Sequence, residues 1–218
     1  KGREEQWRGH IDELRLTKGV GRYNSDANIP VPTTALPRDT SDPNWNAVTY
    51  LAGFETNLDD ESPAAMGTPT IVEVPDIALS ATAASFGTNG RTVNDNSFSR
   101  AYLDYGILDE GDFGLGDFTV EGFARSKNNS GSRWHSILGN YLWEATGSWG
   151  FWLLPDSSNR LVFSVGGHPK LYGTTDLNKN EFHYAISRNG DVLRLFVNGI
   201  MEAKSSGWAN VPIGISSK

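Results

Sequence analysis

Polar and apolar residues alternate along most of this chain with a period of two, and helical spacing is almost absent. In AVTYLAGFE the alternating apolar positions are Val48, Tyr50, Ala52 and Phe54. In DFTVEGFARSK they are Phe118, Val120, Gly122 and Ala124, and in EFHYAISR they are Phe182, Tyr184 and Ile186. Successive side chains of a strand point to opposite faces, so these runs predict half-buried strands of an antiparallel sheet. Asn189-Gly190 divides EFHYAISR from DVLRLFVN, and Asn198-Gly199 follows the latter. Both dipeptides suit two-residue turns whose central positions need positive φ, which predicts a three-stranded meander over residues 181–204. Further strands are predicted at 69–74, 101–105, 134–140, 148–154 and 160–165, between stretches rich in Gly, Asn, Ser and Asp. Strands recurring at about 8–12 residues predict a two-sheet sandwich and not βαβ units.

The one clear change of pattern is NSDANIPVPTTALPRDTSDPNWN, residues 24–46, which holds four of the ten prolines and no periodicity. Such a segment predicts a loop or semi-rigid linker. It divides the chain into residues 1–23, the linker 24–46 and a main body 47–218, which together make up about one domain. No internal repeat is visible.

The first piece carries the most specific signal. Residues 9–23, GHIDELRLTKGVGRY, followed by the proline-containing Asn28-Ile29-Pro30-Val31-Pro32, resemble the closing strand of laminin-G-like, concanavalin-A-like jelly rolls of phage tail and virion proteins. Four further blocks are similar to the same family in cyclically consistent order: YLAGFETNLDDES, ASFGTNGR, DFGLGDFTVEGFAR and EFHYAISRNGDVLRLFVNGI. The chain departs from the family pattern at Gly122-Phe123, where a tryptophan is usual, and at Glu55, where an aspartate often stands. The resemblance implies an all-β fold, an antiparallel two-sheet jelly-roll sandwich. The order of the blocks is permuted, because the closing segment comes first, or the chain is cut from a tandem array. Its start at Lys1 predicts a processed or excised piece. Residues 9–23 then either pair in cis with the main sheet, the favoured arrangement, or complete a neighbouring domain in trans and build a head-to-tail polymer.

Composition narrows the function more than the fold. With 38% hydrophobic residues, 24 Gly and seven Trp among 218 residues, the chain is an ordered β-protein rich in turns. A formal charge of −7 argues against a sequence-independent hold on nucleic acid phosphates or on an anionic membrane. The chain has no cysteine, so disulfides and thiolate metal sites are excluded and packing must hold the fold. No apolar run approaches the ~18 residues of a membrane-spanning helix, so no membrane insertion is expected.

Catalysis has little support in the residue pattern. Glycoside hydrolases need two carboxylates across a scissile bond, ~5 Å apart for retention or ~6.5–9.5 Å for inversion. In HIDEL the carboxylates of Asp12 and Glu13 are adjacent, which on a regular strand sends them to opposite faces, and Glu121 stands alone in EGF. The histidines at 10, 135, 168 and 183 form no metal-ligand motif. His183, opposite in parity to Phe182 and Tyr184, reads as a packed structural histidine. The resemblance implies a structural Ca²⁺ near the joined terminal strands. Asp12 and Glu13 on one side, with Asp59 and Asp60 beside Glu61 on the other, offer the hard oxygen ligands. The competing reading pairs Asp12 and Glu13 with Arg15 or Arg22 and leaves the acidic run as a solvated turn. LDEGDFGLGD, residues 108–117, misses the spacing of an EF-hand loop. For sugar binding the candidates are Trp143, Trp149 and Trp152 in YLWEATGSWGFWLLP, where the opposite parity of Trp149 and Trp152 sends one of them outward. Asn128-Asn129-Ser130 fits a glycosylation sequon and equally a hairpin loop.

The expected function is that of a non-enzymatic structural or adhesive module of a phage virion or tail fibre. Its partners are other subunits in an oligomer and a host-surface glycan. The alternative is a carbohydrate-binding, lectin-like domain of a secreted or cell-surface protein.

Overall fold

The computed structural model describes residues 9–64, 70–72, 77–80, 90–93, 102–104, 111–126, 134–139, 146–154, 159–177 and 180–214. Among them the chain is all-β, with no α-helix and a single 3-10 turn at Trp45–Ala47. The strands are β1 (Gly9–Lys18), β2 (Val48–Ala52), β3 (Thr70–Val72), β4 (Ile77–Ser80), β5 (Gly90–Val93), β6 (Tyr102–Asp104), β7 (Phe118–Ser126) and β8 (His135–Gly139). They continue with β9 (Trp149–Leu153), β10 (Leu161–Val165), β11 (Leu171–Tyr172), β12 (Glu181–Asn189), β13 (Val192–Val197) and β14 (Ile200–Ser206).

Two antiparallel sheets carry most of them. The larger has the order β14-β13-β12-β7-β1-β5-β4, with β2 also paired to β1; the smaller runs β11-β10-β9-β8, and β3 pairs with β6 separately. Strand β1 is central in the large sheet. One edge of it pairs with β7 from Gly9↔Ser126 to Lys18↔Phe118, and the other with β5 over Gly9–Ile11 and with β2 from Leu14 to Thr17.

The period-two pattern sets the inner face. Ile11, Leu14 and Leu16 of β1, Tyr50 and Ala52 of β2, Phe118, Val120 and Ala124 of β7, and Phe182, Tyr184 and Ile186 of β12 all join one buried cluster. Phe151, Leu153, Leu161 and Phe163 of the small sheet belong to the same cluster, so the two sheets share a single core, as in a sandwich. The Phe151 and Tyr184 rings meet edge to face at 4.9 Å across it. Gly122 matters at this contact: a Cβ there would come within 2.9 Å of the Tyr184 hydroxyl, so the missing side chain makes room for the tyrosine.

The meander forms as β12, β13 and β14, but its two turns differ. At the second, Asn198 and Gly199 both have positive φ, 49° and 78°, and Val197 pairs with Ile200, as the Asn-Gly signal predicts. At the first, Asn189 pairs with Val192, so the central residues are Gly190 and Asp191, one position later than predicted. Side-chain anchors account for the shift. Asp117 accepts a hydrogen bond from the Gly190 amide at 2.7 Å, while Asp191 accepts from the amides of Gly207 and Ala209 at 2.9 and 3.0 Å. The buried Arg188 pins the segment after β14 by donating to the Trp208 and Val211 carbonyls at 2.6 and 2.8 Å.

Candidate functional site

The chemistry-bearing residues gather on the outer face of the large sheet, turned away from the core. In register across β1, β7 and β12, Arg15 stands opposite Glu121 and Glu121 opposite Ala185; Thr17 stands opposite Thr119 and Thr119 opposite Ser187. Alternation places these polar positions outward, yet Arg15, Thr17, Thr119, Glu121 and Ser187 are all buried. The cover is residues 22–46 of the same chain, here called the strap. Tyr23 donates from its hydroxyl to Glu121 Oε2 at 2.6 Å and from its amide to Ser187 Oγ at 3.2 Å, and its ring meets Phe196 edge to face. The Ile29 amide donates to the Gly199 carbonyl. Leu36 and Trp45 pack on Val48 and Leu51 in a second, smaller apolar cluster.

Ion pairs hold the strap where apolar contact is sparse. Arg15 donates to Glu121 Oε1 from Nε at 3.0 Å and from Nη2 at 2.7 Å, and to Asp42 of the strap at 2.9 Å. Arg22 makes a two-pronged contact with Asp42 at 2.8 and 3.0 Å and reaches Thr17 Oγ1 at 2.7 Å. The His183 imidazole lies 3.5 Å from Glu121 Oε2 and against the Phe123 ring. Burial alone would raise the Glu121 carboxyl, but the Arg15 charge outweighs it, helped by His183 and the Tyr23 hydroxyl, and holds the group well below the usual carboxylate range. Burial and the Glu121 charge push the Tyr23 phenol in the opposite direction, well above its ordinary value. Near neutral pH Glu121 is thus held as the anion and Tyr23 as a donor to it. Neither is poised to exchange a proton near neutral pH.

Of the residues predicted for calcium, Glu13, Asp59 and Asp60 take other partners. Glu13 has φ of 49°, and the pairing of β1 with β7 shifts register between Asp12 and Arg15. This bulge overturns the expectation that Asp12 and Glu13 face opposite sides. Asp12 pairs with Phe123 on the outer face, and Glu13 turns toward the strap, where its two oxygens accept from the Leu36 amide and from Arg38 Nη2, each at 2.8 Å. Arg38 also pairs with Glu61, so a guanidinium occupies the place between the two acidic segments. The partners of Arg15, Arg22 and Glu13 thus differ from the Asp12/Glu13 pairing with Arg15 or Arg22 weighed above. Asp60 is buried and accepts from the Leu51 and Ser62 amides and the Ser62 hydroxyl, while Asp59 accepts from Asn57 Nδ2. Glu13, Asp59 and Asp60 therefore already face N–H and O–H donors in this arrangement. Among the described residues no group of three or more His, Asp or Glu is gathered as a metal site.

The tryptophans separate by parity. Trp149 is buried in the core, lies at a tilt to the Phe113 and Phe163 rings, and donates from its indole to the Gly111 carbonyl at 2.9 Å. Trp152 is half-buried on the opposite face of the small sheet, in a row with Val162 and Tyr172, the latter 46% exposed. Trp143 and Asn128-Asn129-Ser130 lie outside the described residues.

Comparison of the chain with family models, with curated proteins and with solved structures gave no match.

The residues that sequence reasoning passed over are Arg15, Arg22, Tyr23, Asp42 and Glu121 as one network. Their only signal was the alternation of charged and hydroxyl side chains, Arg15, Thr17, Thr119 and Glu121, on the polar parity of two long strands. Glu121 stands in the sequence as a carboxylate without a carboxylate partner, and in the fold its partners are a guanidinium, an imidazole and a phenol.

Proposed function

We propose that this chain is a laminin-G-like jelly-roll module of a phage virion or tail fibre that works without catalysis, by assembling with neighbouring subunits and attaching to a surface. The observation that carries this reading is the central position of β1. The segment that resembles the family's closing strand lies between β7 and the β2/β5 pair, and the strap that follows it covers the outer face. The sheet face on which a glycosidase would need an open cleft with two carboxylates is filled instead by the chain's own Arg15, Asp42 and Tyr23 around Glu121. Such a unit is closed on itself and presents rims and edges for contact.

A second reading, a carbohydrate-binding domain, is favoured by one observation, the partly exposed Trp152 and Tyr172 on either side of the buried Val162 on the outer face of the small sheet. Partly exposed aromatic rings of this kind suit the apolar faces of sugars.

Size exclusion with light scattering at several concentrations tests the first reading. The expected result is a monomer or small closed oligomer whose mass does not grow with concentration. Open-ended polymers would overturn closure in cis and make strand exchange between molecules the function.

A further inference from the structure

The β12–β13–β14 meander holds two Asn-Gly dipeptides, and the fold treats them in opposite ways. An asparagine before glycine is the sequence in which a backbone nitrogen most readily attacks a side-chain amide, because glycine puts no Cβ in the path. The rate then depends on where the fold holds the two groups. At the second dipeptide they are kept apart. Asn198 has φ of 49°, and a left-handed backbone, with ψ of about +47°, sets the side chain almost opposite the following nitrogen. Asn198 Oδ1 accepts from the His183 amide at 2.9 Å, and the Asn198 amide donates to the His183 carbonyl at 2.9 Å. Gly199 is buried, with the Ile29 amide on its carbonyl.

At the first dipeptide one carboxylate addresses both groups. Asn189 ends β12 without positive φ, and Gly190 beside it is exposed to water. Asp117 Oδ1 accepts from the Gly190 amide at 2.7 Å, and Asn189 Nδ2 approaches Asp117 Oδ2 at 3.5 Å. Asp117 is itself fixed: its carbonyl accepts from the Gly19 amide at 2.7 Å, and the next residue, Phe118, pairs with Lys18 on one side and Arg188 on the other. The carboxylate therefore stands both at the proton that the attacking nitrogen must lose and at the nitrogen that must gain one to depart. Anchoring the turn needs only the contact with Gly190. The contact with the Asn189 side chain is what a proton relay adds.

We propose that Asn189-Gly190 is a self-modifying turn in which Asp117 is the catalytic base, a property independent of the assembly reading above. The Gly190 nitrogen attacks Asn189 Cγ while Asp117 takes its proton. The N–Cγ bond forms, the Cγ–Nδ2 bond breaks, and the proton passes from Asp117 to the departing nitrogen, which leaves as ammonia. Water then opens the cyclic imide at either carbonyl, giving aspartate or isoaspartate at position 189. The product no longer suits its surroundings. A second carboxylate stands against Asp117 where an amide stood, and isoaspartate adds a methylene to the backbone where Asn189 pairs with Val192. Residue 21 crosses directly over this point, since a Cβ on Gly21 would lie 2.2 Å from the Arg188 carbonyl oxygen and 3.2 Å from Asn189 Cβ. The modification thus loosens the entry to the strap and records the age of the folded chain.

Incubation of the folded 218-residue chain near neutral pH tests this, with mass spectrometry of the tryptic peptides Asn189–Arg194 and Leu195–Lys204 reading the two sites separately. Asn189 should lose its side-chain amide at least roughly 10-fold faster than Asn198. The ratio should fall toward one in guanidinium chloride, where the fold holds neither site. Asp117→Asn keeps an acceptor for the Gly190 amide but no base, and should slow the loss at Asn189 by roughly 10–100-fold, at or below the low end for general acid–base catalysis because hydroxide offers a parallel route. The pH profile separates catalysis from anchoring. In the unsubstituted chain the rate at Asn189 should rise less steeply than hydroxide, and in Asp117→Asn in direct proportion to it. Equal rates at the two sites, a ratio that survives unfolding, or a rate and pH profile unmoved by Asp117→Asn would each overturn the proposal. The first two comparisons use the unsubstituted chain alone and hold even if the variant does not fold.

Discussion

The two faces of the large sheet are both buried, and by opposite means. The inner face packs Leu16, Val120, Tyr184 and Ile186 against the aromatic residues of the small sheet. The outer face, on the same strands, buries Arg15, Glu121, Thr119 and Ser187 beneath the strap. Apolar packing is tolerant of direction and depends on filled volume, whereas a buried ion pair depends on every partner being present. The inner face therefore holds the two sheets together, and the outer face fixes where one irregular segment lies. Two buried arginines show the same contrast in miniature. Arg15 meets two carboxylates, while Arg188 meets backbone carbonyls at Trp208 and Val211, and burial draws its pKa down.

Mutations can separate the two mechanisms. The largest effect is expected from Phe151→Ala on the inner face, a loss of about 3–5 kcal/mol from transfer and cavity terms, read by urea unfolding. Glu121→Leu on the outer face should cost about 3 kcal/mol, near the low end for a broken buried pair because Asp42 still serves Arg15. The double variant Arg15→Met with Glu121→Leu should recover most of that loss. If the double variant is as unstable as the sum of the singles, the outer face does not behave as an ion pair.

Acid should distinguish the faces without mutation. The Glu121 carboxyl lies lower in the folded chain than in the unfolded one, so its contribution is fully present above the unfolded value of about 4.3 and is lost as pH falls below it. Asp42, also lowered despite its burial because of Arg22 and Arg15, acts in the same sense. The urea midpoint should drop below about pH 4.3 in the natural chain and drop less in Glu121→Gln, relative to each protein's midpoint at pH 7.

Gly199→Ala should cost about 1–3 kcal/mol, since Gly199 has φ of 78° and a Cβ there would lie 2.5 Å from the Ile29 carbonyl oxygen. The accompanying sign is faster tryptic cleavage at Arg38 as the strap loosens. The smallest effect belongs to Asp191→Asn at the exposed turn, a slight fall in melting temperature from weaker contacts with the Gly207 and Ala209 amides.

Much of the inner face was legible in the sequence, because period-two alternation in DFTVEGFARSK and EFHYAISR directly marks which side chains share a face. The Asn198-Gly199 turn was legible for the same local reason. The turn at Gly190-Asp191 was displaced by Asp117, which lies 73 residues from Gly190 in the chain. The strands IALS and GRTV of β4 and β5 are four residues each, too short to display a period. The outer site was largely illegible. Arg15 and Glu121 are 106 residues apart, and the bulge at Glu13 breaks the parity that a regular strand would have kept. The polar parity of a strand reads as solvent-facing, and nothing in a proline-rich segment announces that it will lie over that face.

Amide hydrogen exchange of β1 in the intact chain, resolved by residue and repeated over a hundredfold range of concentration, tests the central claim most directly. Closure by β1 in cis predicts that Ile11 to Thr17 exchange as slowly as Val120 to Ala124 of β7, at a rate independent of concentration. Fast exchange of β1 beside a protected β7, or protection that appears only as concentration rises, would contradict it.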